Sequence, residues 1–187
     1  CYTQLFEPIY SCLIEGLLHT SDGLSRGRGK ELLRRARDAV ELLKQTEMQD
    51  FLGDRCAVDA VKGGSSTVIP AGTAVVYAVL LPRRVELLVE TRQGLQRFTE
   101  PVAREPMRAL AGRFATALRT SDAGFLPMSQ QLYGHLLKPL EGLIQQQGID
   151  TLVVLPDGAL RMVPFGALHD GHQFAIEKFA LSNVAGM

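Results

Sequence analysis

The chain has 187 residues, 46% of them hydrophobic and 21% charged, which is the composition of an ordinary soluble globular protein. Lys+Arg and Asp+Glu both number 20, so the formal net charge is zero, and neither nucleic acid nor an anionic membrane is expected as a partner. Three cysteines, Cys1, Cys12 and Cys56, are too few and too irregularly spaced for a disulfide framework or a zinc site. A reducing, cytoplasmic compartment is the expectation. No apolar run approaches the ~20 residues of a spanning helix. The opening CYTQLFEPIY has no basic segment or cleavage site of a signal peptide and no initiator Met, so the sequence reads as a piece of something longer.

Residues 2–18 carry a helical apolar pattern, with Leu5, Phe6, Ile9, Leu13 and Leu17 in register and Tyr10 and Ile14 widening it. Only Glu7 and Glu15 are charged there, so this helix should be covered on more than one side, with Cys12 a small buried hydrophobe. TSDGLSRGRG reads as a loop. A second helix is expected from about Lys30 to Phe51, with Leu32, Leu33, Ala36, Val40 and Leu43 as its stripe and Arg34, Arg35, Asp38 and Glu41 on its wet side. The basic run Ser25–Arg37 is read as a loop entering that solvated face. Residues 1–60 thus form a helical hairpin, and 61–73, VKGGSSTVIPAGT, a linker.

From Thr73 the period changes. TAVVYAVLL, RVELLVET and GLQRFTEPV predict a three-stranded meander joined by short turns at Leu81–Arg84 and Arg92–Gly94. Met107, Leu110, Phe114 and Leu118 predict a helix over 105–119, and TSDAGFLP breaks it. Another helix is expected over 128–147, bent or divided at Pro139 and stopped by Gly148. Thr151–Leu155, apolar on both faces, predicts a central strand of a parallel sheet with helices on both sides. There is no internal repeat and no low-complexity tract.

After that strand comes Pro156-Asp157-Gly158, three residues suited to a tight turn. Ligands of open α/β sheets bind at the carboxyl ends of the strands, so this turn and Arg161 could line a cleft, or the turn could be purely architectural. No glycine-rich phosphate loop follows any strand, which argues against a nucleotide-binding domain.

LVVLPDGALRMVPFGALHDGHQFAIEKFALS (residues 152–182) resembles the opening motif of the CHAT domain family, caspase- and separase-like domains associated with tetratricopeptide repeats. The likeness lies in Pro156, Asp157, Gly158, Leu160, Val163, Pro164, Phe165, Ala167 and Leu168. It continues through Asp170 and Gly171, an acidic Glu177 inside a β-rich run, Phe179 and Ser182. The helical hairpin resembles the end of a tetratricopeptide-like array.

The resemblance implies an α/β fold, part of a caspase-like three-layer α/β/α domain over 74–187, with a preceding β-meander and the N-terminal hairpin. It also implies cysteine peptidase chemistry, in which a thiolate attacks the scissile carbonyl and an imidazole handles the protons. In the family both dyad residues follow the motif, so no catalytic position is assigned here, and no metal or cofactor is expected. His169 and His172 read as exposed turn residues and His135 as a helix residue. Cys56 lies beside Asp54 and Asp59, acids that raise a thiol pKa. Asp157 and Arg161 are the substrate-pocket candidates; Pro156, Gly158, Pro164 and Phe165 are structural.

The chain is therefore expected to be the N-terminal part of a CHAT-type cysteine endopeptidase, inactive alone. Its partners would be a protein or peptide substrate and a regulatory protein met through the helices. The alternative is a non-catalytic scaffold coupling a helical-repeat sensor to an α/β domain. Because the Thr151–Leu155 strand would lack sheet neighbours, self-association through an exposed edge is also expected.

Overall fold

The computed structural model describes residues 2–21, 26–52 and 68–183, with side chains over 8–21, 27–44 and 68–183. Cys1, Asp54, Cys56, Asp59 and the 61–67 part of the linker lie outside the described residues. The contacts divide the chain into two units, Cys1–Val68 and Ile69–Ala185.

The first unit is a pair of helices, α1 (Tyr2–Ser21) and α2 (Arg26–Leu52). Helix α2 has one apolar face, and that face decides the packing: Leu33, Ala36, Val40 and Leu43 are buried, as are Ile14 and Leu18 of α1. The expected α1 stripe is therefore corrected. Ile9 is 62% and Leu13 49% exposed, and Cys12 is exposed, not buried. A helix apolar round most of its circumference does not fix its own register; its partner does. The loop also ends earlier than expected, because α2 starts at Arg26 and takes in Gly27 and Gly29. Each glycine costs a helix about 1 kcal/mol relative to Ala, an amount a 27-residue helix with a packed face tolerates.

The second unit is an α/β fold on a five-stranded mixed sheet in the order β3-β2-β1-β4-β5. Strands β1 (Thr73–Leu80), β2 (Val85–Thr91) and β3 (Gly94–Glu100) form the expected antiparallel meander. The meander is not a separate layer. Its first strand pairs parallel with β4 (Thr151–Pro156), from Thr73↔Thr151 to Ala78↔Pro156. Strand β4 in turn pairs parallel with β5 (Ala180–Asn183). Strand β4 is thus central and parallel on both sides, and the expectation that it lacks neighbours is overturned.

Helices α3 (Arg104–Arg119), α4 (Phe125–Leu136) and α5 (Glu141–Gln147) follow the meander. The break before α4 is shorter than TSDAGFLP, since Phe125 already begins the helix. Pro139 lies in a 3-10 turn, Lys138–Leu140, that divides α4 from α5. Gly148 ends α5 in the left-handed conformation at φ +59°, where a side chain would meet its own backbone.

One core joins a sheet face to these helices. Ala74, Val76, Ala78 and Leu80 of β1, Val85, Leu87 and Val89 of β2, and Leu152 and Val154 of β4 cluster with Met107, Phe114, Leu132 and Leu136. On the opposite face, Val153 and Leu155 are only half-buried, so β4 alternates where the sequence predicted burial on both sides.

That opposite face also holds an ionic cluster. Glu86 is fully buried and accepts from Arg84, from Arg97 (Nη2 to Oε1 2.8 Å, Nε to Oε2 2.9 Å) and from Thr99 (2.8 Å). Burial alone would raise its pKa; the hydrogen bonds from Arg97, Arg84 and Thr99 outweigh that and hold it below the ordinary carboxylate value. The architecture, an α/β fold with N-terminal helices, is consistent with part of a caspase-like domain.

Candidate functional site

The parallel register puts the carboxyl ends of β1 and β4 side by side, at Leu80 and Pro156. There the chain is tied down by side chains reaching the backbone. The N–H of Asp157 donates to the Ala78 carbonyl (2.9 Å), extending the ladder one residue past Pro156. The Asp157 carboxylate, nearly buried, accepts from the Leu80 N–H (3.4 Å). The Leu80 carbonyl receives the Arg104 guanidinium, through Nη2 at 2.6 Å and Nε at 3.1 Å. Both peptide groups of the last β1 residue are therefore held by charged side chains, one acid and one base. Sequence reasoning had not singled out Arg104; it heads α3, and only the tertiary fold brings it to β1.

Gly158 stands at φ +50°, and an added Cβ would lie 3.5 Å from the Leu80 side chain. The turn does not reverse into a strand. It opens a 3-10 helix, Gly158–Met162, whose amide at Leu160 donates to the Asp157 carbonyl (3.0 Å). Arg161 sits half-buried on this helix. A second 3-10 turn, Phe165–Ala167, follows Pro164, which is exposed. Leu160, Val163, Phe165 and Leu168 are all buried, so the apolar letters of the motif are core contacts. Ser129 of α4 fastens the segment by donating to the Ala167 carbonyl (2.7 Å).

The HDGH stretch is a turn closed by a bridge between His169 and Phe174. Asp170 Oδ1 accepts the amides of His172 (2.7 Å) and Gln173 (2.9 Å). Its Oδ2 receives Lys178 Nζ (2.9 Å). Lys178 also donates to the Tyr133 hydroxyl (2.9 Å), which donates on to Glu141 (2.8 Å). One ammonium thus fastens the turn to α4 and α5. Glu177 does not lie in a β-rich run, as the sequence suggested. It occupies the first turn of a short helix, α6 (Ala175–Lys178), and accepts the Phe174 N–H (2.6 Å).

The amides of Gln173 and His172, then Lys178, hold the Asp170 carboxyl far below the ordinary aspartate range. The folded pKa is depressed, so this stabilisation is present above the ordinary value of 3.8 and is lost as pH falls towards the folded pKa. Asp170→Asn keeps an oxygen for the two amides and loses the charge. It should cost about 1.5–3 kcal/mol at pH 7. In urea titrations at several pH values, the gap between wild type and variant should narrow from pH 5 downwards. A gap constant with pH would refute the charge-based account.

None of these groups forms a nucleophile–base pair. Cys12 is the one cysteine among the described residues, and it lies on α1. His135 contacts Glu100 (3.3 Å), and His169 Nδ1 accepts the Gly171 N–H (2.9 Å). Among the described residues there is no group of three or more His, Cys, Asp or Glu that could hold a metal ion, and no helix is long and apolar enough to cross a membrane. A polar cleft of about 360 Å³, lined by Gly72, Thr73, Arg92, Gln93 and Gln147, opens at the other end of β1 and β4, and neither Asp157 nor Arg161 lines it.

No curated protein matches the chain. The buried strand, the Asp157–Gly158 turn, the two 3-10 turns and the Asp170 turn fall together in one stretch that does match a known family. Residues 126–186, from α4 onwards, are similar to the CHAT domain, whose family model matches them.

Proposed function

We propose that this chain is the N-terminal part of a CHAT-type, caspase- and separase-like cysteine endopeptidase. The His–Cys dyad is contributed by residues other than 1–187, and residues 1–187 alone are inactive. The observation that carries this reading is β4, flanked by the parallel strands β1 and β5, which runs into Asp157 and Gly158 within the CHAT match. Parallel sheets gather their ligands at that end. Asp157 and Arg161 shape the substrate pocket there, and the substrate is a protein or peptide attacked by a thiolate without a cofactor.

A second reading is a non-catalytic scaffold that couples the helical unit to the α/β unit. What favours it is that Asp157, Ser129, Asp170 and Lys178 all serve internal hydrogen bonds, an architecture that persists without catalysis.

The test uses a thiol-directed peptidase probe and peptide substrates. The protein from its natural source is expected to react with the probe at a cysteine outside residues 1–187 and to cleave peptide, while purified 1–187 does neither. Turnover by 1–187 that is abolished by Cys12→Ser or Cys56→Ser would overturn the peptidase assignment as stated. A natural protein inert to the probe would favour the scaffold.

A further inference from the structure

The register shows why Leu80 is held by two charged side chains. Ala78 is paired with Pro156, and its carbonyl accepts the Asp157 N–H (2.9 Å). Hydrogen-bonding direction alternates along a strand, so the N–H and C=O of Leu80 face the β4 side as those of Ala78 do. There β4 has ended. The Asp157 carbonyl, the group that a longer β4 would offer to the Leu80 N–H, accepts the Leu160 amide of the 3-10 helix instead (3.0 Å). Strand β1 thus outlasts its parallel partner. The Asp157 carboxylate and the Arg104 guanidinium stand where backbone groups of β4 would be.

Arg104 grips this end of β1 twice. It is the first residue of α3, and its amide donates to the Pro82 carbonyl (3.3 Å) in the turn after β1. Its side chain brings two N–H groups onto the Leu80 carbonyl, at 2.6 and 3.1 Å, a fork that a planar guanidinium is shaped to make. The Asp157 carboxylate does not cap the helix it starts; it is held by the Leu80 N–H (3.4 Å). The Leu80 side chain also abuts the turn, 3.5 Å from where a Cβ would stand on Gly158. The direction in which the carboxylate faces is therefore set by Leu80, and Leu80 is set by Arg104.

We propose that Arg104 is a positioning residue of the substrate pocket, acting through Leu80 on Asp157. The use of that pocket rests on the peptidase reading; the clamp itself does not. The proposal brings α3, which precedes the CHAT match, into the same site. Its effect is on substrate binding, because Asp157 shapes the pocket and takes no part in the thiolate chemistry.

Two variants test both halves. Arg104→Met keeps the length of the side chain and removes its donors; Arg104→Lys replaces the fork with one flexible ammonium. In the full 187-residue chain, hydrogen exchange followed by NMR should show the Leu80 amide exchanging about tenfold faster in Arg104→Met and about threefold faster in Arg104→Lys. The Leu81 amide, bonded on the other side of β1 to the Arg84 carbonyl (2.9 Å), should keep its rate. In the full natural protein, Arg104→Met should raise KM for a peptide about tenfold, and Arg104→Lys about threefold. The kcat per cysteine titrated by the thiol probe should stay within about twofold in both. A merely structural role would lower the titrated fraction and leave the KM of the remaining molecules alone.

Unchanged Leu80 exchange, or Leu80 and Leu81 accelerated alike, would overturn the clamp. Peptide cleavage by the wild type with an unchanged KM in Arg104→Met would overturn the positioning role and leave the peptidase reading standing. A wild type that cleaves no peptide would overturn that reading and the pocket role together, whatever the exchange rates. Circular dichroism checks folding. Should Arg104→Met not fold, wild-type exchange and KM in Arg104→Lys would overturn the proposal, and the threefold changes would support it.

Discussion

Phe165→Ala is expected to destabilise the second unit by about 3–5 kcal/mol, the range for deleting a buried aromatic ring. Phe165 is fully buried in the core shared by α3, α4 and the sheet. It begins a 3-10 turn that is itself held by the Ser129 hydroxyl, so the backbone around a vacated ring cannot simply collapse into the space. A loss of that size is a large share of the 5–15 kcal/mol that stabilises a typical domain. The chain has no tryptophan, so urea unfolding is best followed by far-ultraviolet circular dichroism. A cost below about 1 kcal/mol would show that Phe165 does not anchor the core.

Glu86→Gln should cost about 3 kcal/mol, for a different reason. The substitution preserves shape but leaves Arg97 and Arg84 facing a neutral, buried amide. Replacing both ends with apolar groups, Glu86→Leu with Arg97→Met, should recover much of the loss, because the desolvation of the ions is then removed along with their attraction. The folded pKa of Glu86 lies below 4.5, so its contribution is complete above that value and is lost as pH falls below it. Guanidinium or urea midpoints of the three proteins at pH 7 and pH 4 measure this. A double variant less stable than Glu86→Gln would refute the account.

Much of the second unit is legible in its sequence because local signals and tertiary fate agree. The β-branched run Thr73–Leu80 is a strand wherever it pairs, and Gly148 ends α5 where a left-handed residue is needed. Pro139 divides two helices because it cannot continue one. The failures have a common cause: each depended on something far away in the chain. The Ile9–Leu13 side of α1 was read as buried, yet the single apolar face of α2 selects Ile14 and Leu18. The pairing of β1 with β4 likewise has no local signal, because it joins Thr73 to Thr151 across the whole helical segment between them. Arg104 gives no sequence signal at all, because its acceptor is a backbone carbonyl 24 residues upstream. Pro156 still pairs in β4 and Gly158 opens a 3-10 helix where the sequence suggests one tight turn, and the use of the Asp157 carboxylate depends on the neighbouring strand and could be read only from the fold.

The parallel pairing of β1 with β4 has a consequence for how the protein is made. Strands β1, β2 and β3 are joined by short turns and can zip together as soon as they are synthesised. Thr73, however, waits for Thr151, about 80 residues later, and pairing over such a separation is intrinsically slow. At about 5–20 residues per second, a translating ribosome needs on the order of 4–16 s to supply β4. During that interval the apolar flank of β1 is an open strand edge on a nascent meander. The vulnerable step in producing this protein is therefore the stretch of synthesis between Leu80 and Pro156.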